Sequence, residues 1–201
     1  MRTFFLLAIG FTSAAIAAPV SFDFKDPKGV NNVVFQLDAP LESINGTASG
    51  ISGTITADPA NPADVKGKII VASESLHVPN PIMKGHLHGA DWLDVKTHPE
   101  IVFELKTVTN VKRDGNSGTA DVQGTFTLHG ISKDITVPVT VTLLPGRLKD
   151  RGGDQEGDLL VIRSKFEINR SDFGIKAGQA TDKVAEQISI SLSLAGAAPK
   201  G

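Results

Sequence analysis

Four stretches in the second half of the chain alternate apolar and polar side chains every second residue, and that period constrains the fold more than anything else in the sequence. Val122, Gly124, Phe126 and Leu128 alternate with Asp121, Gln123, Thr125 and Thr127. Ile135, Val137, Val139, Val141 and Leu143 do the same against Thr136, Pro138, Thr140 and Thr142. Leu160, Ile162, Ser164, Phe166 and Ile168 oppose Arg163, Lys165 and Glu167, and Ile188, Ile190, Leu192 and Leu194 oppose Ser189, Ser191 and Ser193. Successive side chains of a strand point to opposite faces, so each stretch predicts a strand with one face buried and the other in water. Pro138 has no ladder donor and suits an edge or a bulge.

Less regular runs at Val33–Leu37, Thr47–Ala57, Lys68–Leu76 and Glu100–Val111 bring the expectation to about eight strands. Gly, Asn and Asp clusters at Asp26–Gly29, Asp58–Asp64, Asp114–Gly118 and Gly146–Gly157 read as turns, the last as an exposed hairpin loop within one domain. The exception to period two is Pro79–Leu93. Met83, Leu87, Ala90 and Leu93 are three or four residues apart there, which predicts a short helical segment, weakened by Gly85 and Gly89. Antiparallel strands that are polar on one side close into a barrel or stack as a sandwich, and both bury the alternating set. A barrel of about eight strands is just wide enough to fill itself with side chains or to hold one small ligand.

Composition removes several function classes. Twenty Lys and Arg against 22 Asp and Glu give a formal charge of -2, which supplies no basic surface for nucleic acid. Cysteine is absent, so disulfides, thiol nucleophiles and thiolate metal sites are excluded. Arg2, the apolar run Phe4–Ile16 and the small-x-small step Ala15, Ile16, Ala17 read as an export signal cleaved after Ala17. The run is shorter than the roughly 20 residues a spanning helix needs, and no later segment is long and apolar enough to cross a bilayer. The expected mature domain is 18–201, periplasmic or secreted.

Three stretches resemble the YceI-like family of exported, lipocalin-like barrels known as polyisoprenoid-binding proteins. They are His86, Leu87, Asp91, Trp92, Leu93, Asp94, Val95 with Pro99, Ile101 and Phe103; Gly124, Phe126, Leu128, His129, Gly130 with Lys133, Val137 and Val139; and Arg170, Asp172, Phe173, Gly174, Ile175. Where family members often carry an Arg-Asp pair before the His-Leu step, this chain has Met83 and Lys84. The resemblance implies a single antiparallel lipocalin-like β-barrel that sequesters or carries an isoprenoid-like lipid, of polyprenyl or quinone type, without chemical conversion. Ile101, Phe103, Leu105, Val122, Phe126, Leu128, Val137, Val139, Val141, Ile162, Phe166, Ile188 and Ile190 are then the candidate ligand-binding wall. The competing expectation is that they fill a solid core in a structural or partner-binding barrel, tied to stress tolerance or to an electron-transfer membrane protein. A homodimer is compatible with either.

Of the five histidines, His77, His86, His88 and His98 crowd together, but His86 and His88 diverge on a helix and zinc asks for three or four ligands. The expectation is no metal and no cofactor. His129 reads as a turn residue, His86 as the hydrogen-bonding pin of the helical segment, and Asp91 and Asp94 as its tethers. Arg170 and Asp172 are expected to stabilise the loop before the last strand, over Phe173. No G-x-S-x-G, P-loop, H-E-x-x-H or G-x-G-x-x-G motif is present, so the chain reads as a non-enzyme. Asn45-Gly46-Thr47 and Asn169-Arg170-Ser171 match the glycosylation pattern, a frequent chance match.

Overall fold

A computed structural model describes residues 18–58 and 61–200, so the export signal expected at 1–17 lies outside the described residues. The strands are β1 (Val20–Asp23), β2 (Asn32–Asp38), β3 (Ser43–Ala48), β4 (Ile51–Asp58), β5 (Asn61–Ala72), β6 (Glu100–Asp114), β7 (Ser117–Leu128), β8 (Ile131–Leu144), β9 (Gly157–Asn169) and β10 (Gln187–Pro199). One helix, α1 (Pro81–His88), lies between β5 and β6, and short 3-10 turns occupy Ser73–Ser75, Leu148–Arg151 and Arg170–Phe173.

All pairings are antiparallel. β1, β4, β5, β6, β7, β8, β9 and β10 follow one another in space, and Asp23 of β1 pairs with Ala197 of β10 to close an eight-stranded barrel. The β2–β3 hairpin is additional to that ring. It takes over the free edge of β10 where β1 leaves it, with Ser189–Ser193 opposite Gln36–Asn32. β3 is joined to the segment after β5 by a single bridge, Thr47 to His77.

β9 runs along one side of Ala195, but on the other side, between β1 and β2, its backbone has no strand partner. The carboxamide of buried Asn31 takes that place: its Nδ2 donates to Ala195 O at 3.1 Å and Phe24 O at 3.0 Å, and its Oδ1 accepts from Ala195 N at 2.8 Å. A buried backbone group left unpaired costs about 1–3 kcal/mol, so this one side chain makes the divided seam tolerable. Asp26 organises the same connection. Its carboxylate accepts from the backbone N–H of Lys28, Val30 and Asn31 and pairs with Arg151 at 2.9 Å.

The strands read from period two are all present. Thr47–Ala57, read as one run, is two strands, because Ala48 and Ile51 are both buried and three residues apart, a break in the period. A Cβ on Gly50, in that break, would lie 2.8 Å from the Ala72 side chain. β1 was not anticipated, being only four residues long. Pro138 sits in β8 opposite Asp121 of β7, but the β8–β9 ladder stops at Val139–Ser164, so the proline marks the point where β8 becomes an edge.

Candidate functional site

Closing eight alternating strands turns every second side chain inward, and here those side chains do not meet. They surround a cavity of about 860 Å³ that runs along the barrel. All thirteen residues expected to form the wall lie on it. Val122, Phe126, Leu128 and Val137 are buried, whereas Leu105, Val139, Val141, Ile162, Ile188 and Ile190 are only half-buried although they face inward. Their remaining surface opens onto the cavity, as expected of side chains that fail to reach across a barrel of this size.

Aromatic side chains shape one end. The Phe126 ring stands edge-on to Phe166 at 6.4 Å and to Phe173 at 5.5 Å. The Phe103 ring lies over Gly124, where a Cβ would approach it to 2.6 Å, so glycine on β7 is what lets this ring settle against the wall.

Sequence reasoning named thirteen wall residues and missed most of the other apolar side chains that line the cavity. Phe22, Phe35, Ile55, Ile69 and Val71, from β1, β2, β4 and β5, line the cavity together with Met83, Leu87 and Trp92. Their strands alternate less cleanly, and the last three come from the helical segment and the turn after it, which sequence did not assign to the cavity. Charged lining residues are confined to the ends, apart from buried Arg170 in the 3-10 turn after β9. Glu42 and Lys183 lie at the α1 end; Asp58, Lys112, Arg113 and Asp158 lie at the far end.

α1 covers one mouth. Asn80 caps it, its Oδ1 accepting from Ile82 N at 2.9 Å and Met83 N at 3.2 Å, and Pro81 occupies the first turn, where a missing N–H costs nothing. Met83, His86 and Leu87 face the cavity, while Ile82 on the other side is 71% exposed. No residue of the helix is buried. The pin to the barrel is His88, not His86: the His88 Nε2–H donates to Leu76 O at 2.7 Å, and the His86 side chain faces the mouth instead. Two residues further along, the helical turn points the other way, which is why the expectation fell on the wrong histidine. Asp94 contributes through its backbone, at φ 41°, and Asp91 approaches Lys176 only to 3.9 Å.

Behind the lid, Arg170 is 1% exposed and donates to the backbone carbonyls of Ile175, Lys176, Gln179, Val184 and Ala185, which fixes the 174–186 connection around one guanidinium. Trp92 stacks over it, 5.9 Å from ring centroid to guanidinium carbon. The carboxylate that answers Arg170 is Glu186 at 3.6 Å, whereas Asp172 is exposed. Hydrogen bonds from Ser171 and the charge of Arg170 hold the Glu186 carboxyl below its ordinary range against partial desolvation. Phe173 lies beneath, with its carbonyl accepting from His129 Nδ1 at 3.1 Å; His129 is in a left-handed turn and meets the His98 ring edge-on, with centroids 4.8 Å apart. Among the described residues, no three His, Asp or Glu side chains converge to hold a metal.

Comparison with known proteins places this architecture. The chain is 32% identical over 189 residues to a UPF0312 protein of Pseudomonas putida strain W619, covering 92% of this chain and 93% of that protein. It is 31% identical over 193 residues to Protein YceI of Escherichia coli O17:K52:H18, covering 92% and 95%. Among solved structures, Burkholderia cenocepacia BcnA superposes with a TM-score of 0.66 at 24% identity, over 82% of this chain and 95% of that one. A domain described as polyisoprenoid binding, from Saccharophagus degradans and implicated in plant cell wall breakdown, superposes with a TM-score of 0.63 at 11% identity, over 90% and 100%. The family profile described as YceI-like domain matches residues 21–195, which includes every strand that walls the cavity. By profile, by sequence relatives and by barrel topology, this chain belongs to the YceI-like family.

Proposed function

We propose that this protein is a non-catalytic carrier that encloses an isoprenoid-like lipid, of polyprenyl or quinone type, in the barrel. The observation that carries the reading is a hollow of about 860 Å³ whose middle is walled almost entirely by aliphatic and phenyl groups. That surface offers a hydrocarbon chain burial and offers a polar metabolite almost nothing to bond. At about 30 Å³ per water-sized group, the space holds on the order of thirty non-hydrogen atoms, or about five to six prenyl units. Each unit gains roughly 3–4 kcal/mol gross from burial, and ordering the flexible tail takes back much of it. The polyisoprenoid-binding description of the Saccharophagus degradans domain, which shares this fold, supports the same class of guest. The thirteen wall residues named from sequence are the proposed contacts, with Phe22, Phe35, Ile69 and Trp92 completing them.

The signal read in residues 1–17 supports export, and a periplasmic or secreted carrier would move between membranes that its guest cannot leave unaided. Among the described residues no helix is long and apolar enough to cross a membrane. Organic extraction of the purified protein followed by mass spectrometry tests the proposal. The expected result is a co-purifying prenyl lipid near one-to-one stoichiometry; an empty extract, together with no uptake of added prenyl lipid, would overturn it.

A further inference from the structure

Among the described residues, and apart from Arg170 behind the lid, Ser164 is the one polar side chain that lines the cavity between its two ends. It is nine-tenths buried, and its neighbours along β9 on the same face are Ile162 and Phe166. An apolar residue would pack there more favourably, so the hydroxyl needs an account. Part of it is local. In a strand the C=O and N–H of one residue project to the same side, and Pro138 has no N–H. The β8–β9 ladder ends next to it, at Val139–Ser164, and Ser164 Oγ donates to Pro138 O at 2.6 Å. The hydroxyl proton is thereby committed to the wall. What Ser164 turns toward a guest is its oxygen, with lone pairs and no hydrogen to give.

We infer that Ser164 is a specificity-determining residue of the cavity, an acceptor-only post that selects prenyl lipids carrying a hydroxyl donor over those whose oxygens can only accept. The inference rests on the carrier reading above and sharpens its ligand class: prenyl alcohols, phenols and quinols rather than ethers or quinones. A donor buried at that depth and left unpaired is penalised in the tunnel, and so is a carbonyl or ether oxygen set against the serine lone pairs. The discrimination comes from a single hydrogen bond and corresponds to about three- to tenfold in affinity.

The test compares geranylgeraniol with its methyl ether on the full protein, by displacement of a fluorescent fatty probe and by native mass spectrometry. The wild type is expected to hold the alcohol about three- to tenfold more tightly. In Ser164→Ala the ratio is expected to fall to about one, through weaker binding of the alcohol and relief of the repulsion that the ether met. Ser164→Thr, which keeps the hydroxyl, is expected to restore the preference. Equal affinities in the wild type, or a preference that survives Ser164→Ala, would overturn the assignment while leaving the carrier reading intact. If neither probe binds the wild type, the carrier reading itself fails and takes this one with it. If Ser164→Ala does not fold, Ser164→Val takes its place, with the same expected ratio of about one.

Discussion

Asp26 and Arg170 are single side chains that each hold a length of backbone, and the Asp26 carboxylate makes its share of that stability depend on pH. Burial pushes the Asp26 carboxyl up, but the N–H groups of Asn31, Lys28 and Val30 and the Arg151 guanidinium outweigh it and leave the group below its ordinary 3.8. A folded-state pKa below the unfolded one contributes stability that is present above the unfolded value and is lost as pH falls through the folded value. Asp26→Asn is therefore expected to be destabilised relative to the wild type in urea at neutral pH, with the gap closing below about pH 4. A gap that is the same at both pH values would show that charge has no part in it. Neither this role nor that of Asn31 was legible in the sequence, where Asp26 reads only as a turn former. Arg170 was singled out together with Asp172 as holding the loop before the last strand; the acid that meets it, Glu186, was not, because it comes near only once the 174–186 connection has folded back.

At the scale of elements, the strands and the helix are held by different means. The strands share ladders and a buried face; α1 has a cap, one histidine bond and no buried residue. Loss of an N-cap typically costs about 1 kcal/mol, and in an element so weakly tied the cost is paid locally. Asn80→Ala is expected to speed hydrogen exchange across 81–88 severalfold while leaving the global melting temperature within about 2 °C. A large fall in melting temperature would mean that α1 is part of the cooperative core. Most strands were legible because alternation is local; β1 was too short to show it, and the break between Ala48 and Ile51 was read through as one run. Pro138, read as an edge or a bulge, marked the end of a ladder.

The whole molecule is distinguished by what its inward side chains leave open. In a close-packed core an added ring forces strain and costs about 1–3 kcal/mol. Val139 faces the hollow and is half-buried, so Val139→Phe has room to place its ring. The expected outcome is a melting temperature equal to or above that of the wild type, with prenyl lipid uptake sharply reduced. A drop of several degrees by calorimetry would indicate a filled interior at that level of the barrel.

The sequence by itself determined the class of structure and the inner face of its later strands, because a two-residue period assigns each side chain to a face without reference to anything distant. It also located the helical segment, through spacing of three and four residues, but not its position over the barrel mouth. Tertiary structure alone decided that the centre is hollow, that β1 and β2 divide the edge of β10, and that Asn31 bridges the place where they part. Each of these depends on groups far apart in the chain, such as Asn31 and Ala195 or Pro138 and Ser164, and on the volume left when eight strands close. A pattern along one strand specifies which way a side chain points; how far away the opposite wall stands is set only by the closed ring.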